Sequence, residues 1–145
     1  MDYFDHILVS EILHDEGYRL KSYKDKTGLW TIGVGHLLGG EYTFANLTWT
    51  PEQVLLTLMQ DLNSAVYYVR KYIYTFEQLS DNRQRVLISM MFNLGPNRFA
   101  GFTNTIAAIN RLDYYRAKVE MLDSKWARED VPNRANRLAN RWMAG

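Results

Sequence analysis

The sequence predicts an α+β fold, mainly α, in which one long helix joins a small β-hairpin lobe to a helical lobe. Three observations predict it. Residues 18–34 are rich in strand formers and centre on a turn at 24–28. From Thr50 onward, Val54, Leu58, Leu62, Ala65, Val69 and Ile73 keep one helical stripe. Beyond that stripe, apolar residues recur at helical spacing between capping Ser, Thr and Asp residues and helix-ending Gly and Pro.

The elements follow in order. Phe4, Ile7, Leu8, Glu11 and Ile12 lie at helical intervals, so residues 3–15 form a first helix, and Gly17 is placed to end it. Tyr18 to Tyr23 alternates loosely, Lys24 to Gly28 is a turn, and Leu29 to Val34 is the second strand of a hairpin. Residues 39–46 read as loop with at most one short edge strand. Thr50 as N-cap, Pro51 at the first helical position and Gln53 completing a capping box open the long helix. At about 30 Å it exceeds what a small lobe needs, which suits a strut. Ser80 or Asp81 then caps a helix with Val86, Leu87, Met90, Met91 and Leu94 inward, stopped by Gly95-Pro96. Thr103 and Asp113 start two more helices, and Pro132 opens a last one ending near Met143. The expected organisation is a single domain over 1–145. Its first lobe spans about 16–50 and its connecting helix about 51–73; the second lobe takes about 74–145 together with helix 3–15.

Composition bounds the function. Apolar residues make up 47% and charged residues 23%, the mix of an ordinary globular chain. A net charge of +1 gives no global field for a nucleic-acid partner. The absence of cysteine excludes disulfides, zinc–thiolate sites and cysteine nucleophiles. No apolar run is long enough to span a bilayer, and the acidic start Met-Asp-Tyr-Phe-Asp-His does not read as a signal peptide.

The stretch from Asp15 to His36 holds the candidate chemistry. Glu16 falls where the first helix stops, at the negative end of its macrodipole, a placement that costs a carboxylate about 0.3–1 kcal/mol. The dipole, the adjacent Asp15 and any burial favour a protonated Glu16, which a general acid requires. A solvated, frayed helix end would place two acids there equally well. Asp25 sits in the hairpin turn, where Asp commonly bonds its own backbone, and Thr31 is an ordinary strand residue. The hairpin can fold back so that both face the helix end, and two carboxyls flanking a groove are what glycoside hydrolysis uses.

The run Asp15-Glu16-Gly17, Tyr23-Lys24-Asp25 and Thr31-Ile32-Gly33-Val34-Gly35-His36-Leu37 resembles the phage-type lysozymes, family 24 of the glycoside hydrolases. It is most like their T-even phage endolysin branch. Gln60-Asp61, Met91-Phe92-Asn93-Leu94-Gly95, Ala100-Gly101-Phe102-Thr103-Asn104, Ser124-Lys125-Trp126 and Pro132-Asn133-Arg134-Ala135-Asn136-Arg137 match in the same order, so the resemblance covers nearly the whole chain. It implies a lysozyme-like fold and an endolysin hydrolysing the β-1,4 bond between N-acetylmuramic acid and N-acetylglucosamine in peptidoglycan glycan strands, for host-cell lysis. In that pattern Glu16 is the acid, Asp25 the second carboxylate, Thr31 a holder of the attacking water, and the outcome inversion.

The same resemblance makes Leu37, Phe92 and Thr105 sugar contacts, Thr105 standing where serine is usual. Arg134 would pair with Glu16, and His36 with Asp61. Glu120 stands where the family pattern has a neutral amide, so substrate binding is not carried over to it. The chain also departs from the pattern between His36 and Thr50. No cofactor, metal, nucleic acid or membrane span is implied. A monomer is expected, made in the host cytoplasm and acting on the periplasmic wall, with a pore-forming holin needed for release but not touched.

Competing readings are weaker. A non-hydrolytic wall-binding or virion structural module could keep the same fold, but the three matched catalytic positions argue against it. A lytic transglycosylase would use the Glu without a water-assisting Asp. Glu11 and His14 have the Glu-x-x-His spacing of di-iron helices, but two copies are needed. Gly33-Val34-Gly35 begins like a nucleotide loop, yet no Lys-Ser/Thr follows; a glycine pair at a strand end more often marks a turn or a close backbone approach. The serines lack a nucleophile-elbow context. The tyrosines at 67, 68, 72 and 74 fit lobe packing better than sugar stacking. Arg134, Arg137 and Arg141 form either a solvated face or a contact for acidic peptide stems.

Overall fold

The computed structural model describes residues 5–145. Helices dominate, and a single three-stranded antiparallel sheet supplies the β part. The chain divides into two compact units, one ending at Asn63 and the other spanning Ser64–Gly145.

In the first unit, α1 (His6–Glu16) begins because the Asp5 side chain accepts a hydrogen bond from Leu8 N at 2.9 Å, an N-cap that answers an orphan helix donor. Leu8 and Ile12 are its buried residues. It ends where Gly17 takes φ +78°, a conformation favourable only to glycine, and returns its N–H to Leu13 O at 2.9 Å. Tyr3 and Phe4, which the periodicity assigns to this helix, lie outside the described residues. Sequence grouping attached this helix to the helical lobe, whereas the compact units group it with the sheet. Its last residue runs through Gly17 directly toward β1.

The sheet consists of β1 (Arg19–Lys24), β2 (Trp30–Gly33) and β3 (His36–Gly39), in that order. The β1–β2 hairpin turns at 25–28, as the sequence predicts. β3 is a strand the sequence reading passed over. Gly33 (φ +67°) and Gly35 (φ +63°) reverse the chain within two residues, so that His36 pairs with Ile32 and Leu37 with Thr31. Residues 39–46, read as loop with at most one short edge strand, contain a 3₁₀ turn, Tyr42–Phe44. The chain then returns beside β1, with Ser22 N donating to Leu47 O at 2.8 Å and Trp49 N to Leu20 O at 2.7 Å.

The long helix α2 (Pro51–Tyr72) carries the chain from the first unit into the second. Its capping box is complete: Gln53 N donates to Thr50 Oγ1 at 3.2 Å, and Thr50 N donates to Gln53 Oε1 at 2.8 Å. Val54, Leu58, Leu62, Ala65 and Val69 are buried along the predicted stripe, joined by Val66.

The second unit is helical. At its centre α3 (Asp81–Leu94) starts on the Ser80 N-cap and buries Val86, Leu87, Ile88, Met90, Met91 and Leu94, so apolar surface nearly surrounds it. Gly95 ends α3, and Pro96 immediately opens the short α4 (Pro96–Ala100), since proline at the first helical position loses no bond. Three further helices are α5 (Thr103–Asn110), α6 (Tyr114–Leu122) and α7 (Pro132–Ala144), with the Asp113 carboxylate capping α6. A π-helical stretch, Trp126–Asp130, precedes α7. The C-terminal carbonyls of α7 are met from α3: Arg83 Nε donates to Trp142 O at 3.0 Å and Asn82 Nδ2 to Arg141 O at 2.6 Å. The Arg83 guanidinium lies 3.9 Å from the Tyr114 ring centroid. Arg134, Arg137 and Arg141 are all half-buried and engaged rather than standing free in solvent. Of the tyrosines read as packing residues, Tyr72 lies 6.1 Å from Phe99, but Tyr67 and Tyr74 are exposed.

Candidate active site

Glu16 is the last residue of α1, where its half-buried side chain faces the β2–β3 turn. A Cβ added to Gly35 would stand 2.6 Å from Glu16 Oε2 and 3.0 Å from Glu16 Cβ. The close approach that the glycine pair predicts is therefore an approach to Glu16. Gly35 also holds φ +63°, so two separate demands, backbone conformation and space, call for glycine at this position.

Asp25 is fixed by its own turn. Its Oδ1 accepts Thr27 N at 2.8 Å, Thr27 Oγ1 at 2.6 Å and Leu29 N at 3.0 Å. Burial opposes its charge, but the hydrogen bond from the Thr27 side chain and those from the Leu29, Thr27 and Gly28 backbones outweigh it. The Asp25 pKa consequently lies below its ordinary value of 3.8. This is the bland role of a turn aspartate, and it leaves a carboxylate held ionised in a defined orientation.

Sheet register sets the neighbours of Thr31. It is opposite Tyr23 on β1 and opposite Leu37 on β3, so the three side chains form a row across one face. Thr31 is buried, and its Oγ1 makes only a long contact of 3.4 Å with Leu29 O. Leu37 is exposed. Tyr23 was not singled out in the sequence, although its place two residues before Asp25 was visible. Arg19 lies 4.5 Å from the centroid of its ring. Burial is the largest influence raising the Tyr23 pKa above 10.0; Arg19 opposes it, and the charges of Glu16 and Asp25 add to it. Both carboxylates thus act on one phenol.

His36 and Asp61 meet as the resemblance implies: Nδ1 and Oδ2 are 2.7 Å apart, each side chain about one-third exposed. The hydrogen bond from Asp61 raises the His36 pKa above 6.5; burial lowers it by less, and the Asp61 charge adds to the rise. Trp49 lies beside the imidazole at 5.7 Å.

The remaining candidates lie in the second unit. Phe92 is half-buried on α3, and Arg134 is half-buried and engaged in the first turn of α7. Thr105, on α5, is buried and lines a cavity of about 430 Å³ with Phe102, Asn104, Glu120, Lys125 and Trp126. The Glu120 carboxylate on that wall is neutralised by Arg116 at 2.5 Å. Trp126 is fixed by donating its indole N–H to Asn93 Oδ1 at 2.7 Å. Among the described residues, no group of three or more His, Asp or Glu side chains gathers as metal ligands, and no helix is long and apolar enough to cross a membrane.

Comparison with known proteins decides the family. Residues 14–143 match the family described as Phage lysozyme. The chain belongs to that family. The lysozyme is 32% identical over 124 residues to the endolysin of Salmonella phage P22, covering 84% of this chain and 83% of that protein. It is 27% identical over 148 residues to the probable T4-type lysozyme 1 of Dictyostelium discoideum, covering 86% of each. Over 131 residues it is 29% identical to the peptidoglycan hydrolase gp36 of Pseudomonas phage phiKMV, covering 90% of this chain but 14% of that longer protein. Fold and family together make this chain a lysozyme-type glycoside hydrolase.

Two expectations follow. Because the His36 pKa is raised on folding, the His36–Asp61 pair contributes fully below about pH 6.5, and that contribution is lost as pH rises through the folded-state pKa. In denaturant titrations, Asp61→Asn should destabilise the lysozyme by about 1–2 kcal/mol at pH 5.5, allowing for solvent screening, and by clearly less at pH 9. An equal loss at both values would show that protonated His36 is not the partner that matters. Separately, Gly35→Ala should displace the Glu16 carboxyl and, with Glu16 read as the acid, lower glycosidase activity about 100-fold, the effect of an error near 1 Å at a reacting group. Activity within twofold of wild type would mean that Glu16 does not depend on this glycine.

Proposed function

We propose that this lysozyme is an endolysin that cleaves the β-1,4 bond between N-acetylmuramic acid and N-acetylglucosamine in bacterial peptidoglycan. One observation carries the reading: the end of α1, closed against Gly35, and the hydrogen-bonded hairpin turn present two carboxyls, Glu16 and Asp25, on the elements that flank the sheet. Relatives named as endolysins and as a peptidoglycan hydrolase support the choice of substrate.

In the proposed reaction Glu16 gives its proton to the departing glycosidic oxygen as the bond breaks. Asp25, held ionised by its turn, takes a proton from the water that attacks the opposite face of the sugar ring. The Thr31 hydroxyl, making only a long intramolecular contact, helps hold that water. Leu37, Phe92 and Thr105 are the proposed sugar contacts. Attack by water opposite the leaving group inverts the anomeric carbon. No step calls for a cofactor. The enzyme acts as a monomer, is made in the host cytoplasm and reaches the wall after a holin has opened the membrane.

Glu16→Gln keeps the shape of the side chain and removes its proton donor. Release of reducing sugar ends from purified peptidoglycan should fall by about 10³-fold or more, with unfolding temperature preserved. Asp25→Asn should lower the same rate by about 100-fold. A Glu16→Gln protein that digests peptidoglycan at the wild-type rate would overturn the proposed function.

A further inference from the structure

Tyr23 is placed where a structural residue would gain little from its hydroxyl. Its ring is half-buried and lies under the Arg19 guanidinium at 4.5 Å, contacts that phenylalanine would make equally well. Its strand partner is Thr31, and Leu37 continues the same row, so the phenol shares a sheet face with a candidate water-holding hydroxyl and a candidate sugar contact. Burial and the charges of Arg19, Glu16 and Asp25 account for the influences on its hydroxyl, with no hydrogen bond from a described residue among them. A phenol in such surroundings stays neutral and keeps its proton to donate. Tyr23 and Asp25 lie on either side of Lys24, at the hydrogen-bonded end of β1.

We propose that Tyr23 is a substrate-contacting residue of the lysozyme, its hydroxyl donating a hydrogen bond to the sugar that lies between Glu16 and Asp25. The inference rests on the reading of those two carboxyls as the reacting pair. It gives the row Tyr23–Thr31–Leu37 three distinct duties: an oriented donor to sugar, a hydroxyl for water, and an apolar contact. Arg19 has a positioning role here. Stacked on the ring, its guanidinium limits rotation of the phenol and tempers the negative field of the two carboxylates, so the hydroxyl is aimed at substrate rather than drawn to either acid.

The test is Tyr23→Phe, which keeps the ring and its stack on Arg19 while removing one oxygen. Steady-state digestion of purified peptidoglycan and thermal unfolding are measured on the full-length protein, with Glu16→Gln as control. The expected result is an unfolding temperature within about 1 °C of wild type and kcat/KM lowered about tenfold, the usual effect of losing one hydrogen bond to substrate. Tyr23→Leu, which also removes the stack, should lose more. Unchanged kinetics in Tyr23→Phe would overturn the inference, and so would a fall in unfolding temperature large enough to account for the lost activity. If Glu16→Gln remains active, the reading of the reacting pair fails first. If Glu16→Gln is inactive and Tyr23→Phe is fully active, that reading stands and the role of Tyr23 alone fails.

Discussion

The rest of the site depends on one close contact, that of the Glu16 side chain with the bare Cα of Gly35. A helix that ends in a carboxylate is locally unfavourable, because the helix terminus is itself negative. Here the helix is stopped at that residue by Gly17, and the turn between β2 and β3 is brought beneath the carboxyl by glycines at positive φ. Three glycines therefore position one acid. Each is explained by backbone conformation, and Gly35 by space as well.

The two carboxyls differ in how they are held, and the difference suits a division of labour. Asp25 is surrounded by donors from its own turn and stays charged. Glu16 is placed instead by the end of α1 and by the close approach of Gly35. In the proposed reaction they take different parts, Glu16 as the acid and Asp25 as the base. The three-stranded sheet fixes Thr31 between Tyr23 and Leu37 by register: a slip of one residue in a strand would turn that strand's member of the row to the other face.

Much of this was legible in the sequence, for identifiable reasons. Thr50-Pro51 with Gln53 is a local signal, complete within four residues, and the capping box forms as written. Helical periodicity between Ser80 and Gly95 placed α3, and Pro132 marked the start of α7. Strand β3 was not legible, since its four residues alternate only weakly and its pairing is set by the glycines before it. The π-helical stretch at Trp126–Asp130 has no periodic signature of its own. Within the site, the helix end and the turn drew attention to Glu16 and Asp25, but their proposed roles came from the family resemblance. Tyr23 did not stand out, because its significance lies in a cross-strand partner and in two charges distant in sequence.

The measurement that bears most directly on the proposed chemistry is the anomeric configuration of the newly formed reducing sugar, followed by proton NMR in the first minutes of digestion of a soluble peptidoglycan fragment. Water delivered by Asp25 opposite a Glu16-protonated leaving group should release the α-anomer first, before mutarotation mixes the two forms. Initial release of the β-anomer would mean that the configuration is retained, and would contradict the assignment of Asp25 as the residue that activates water.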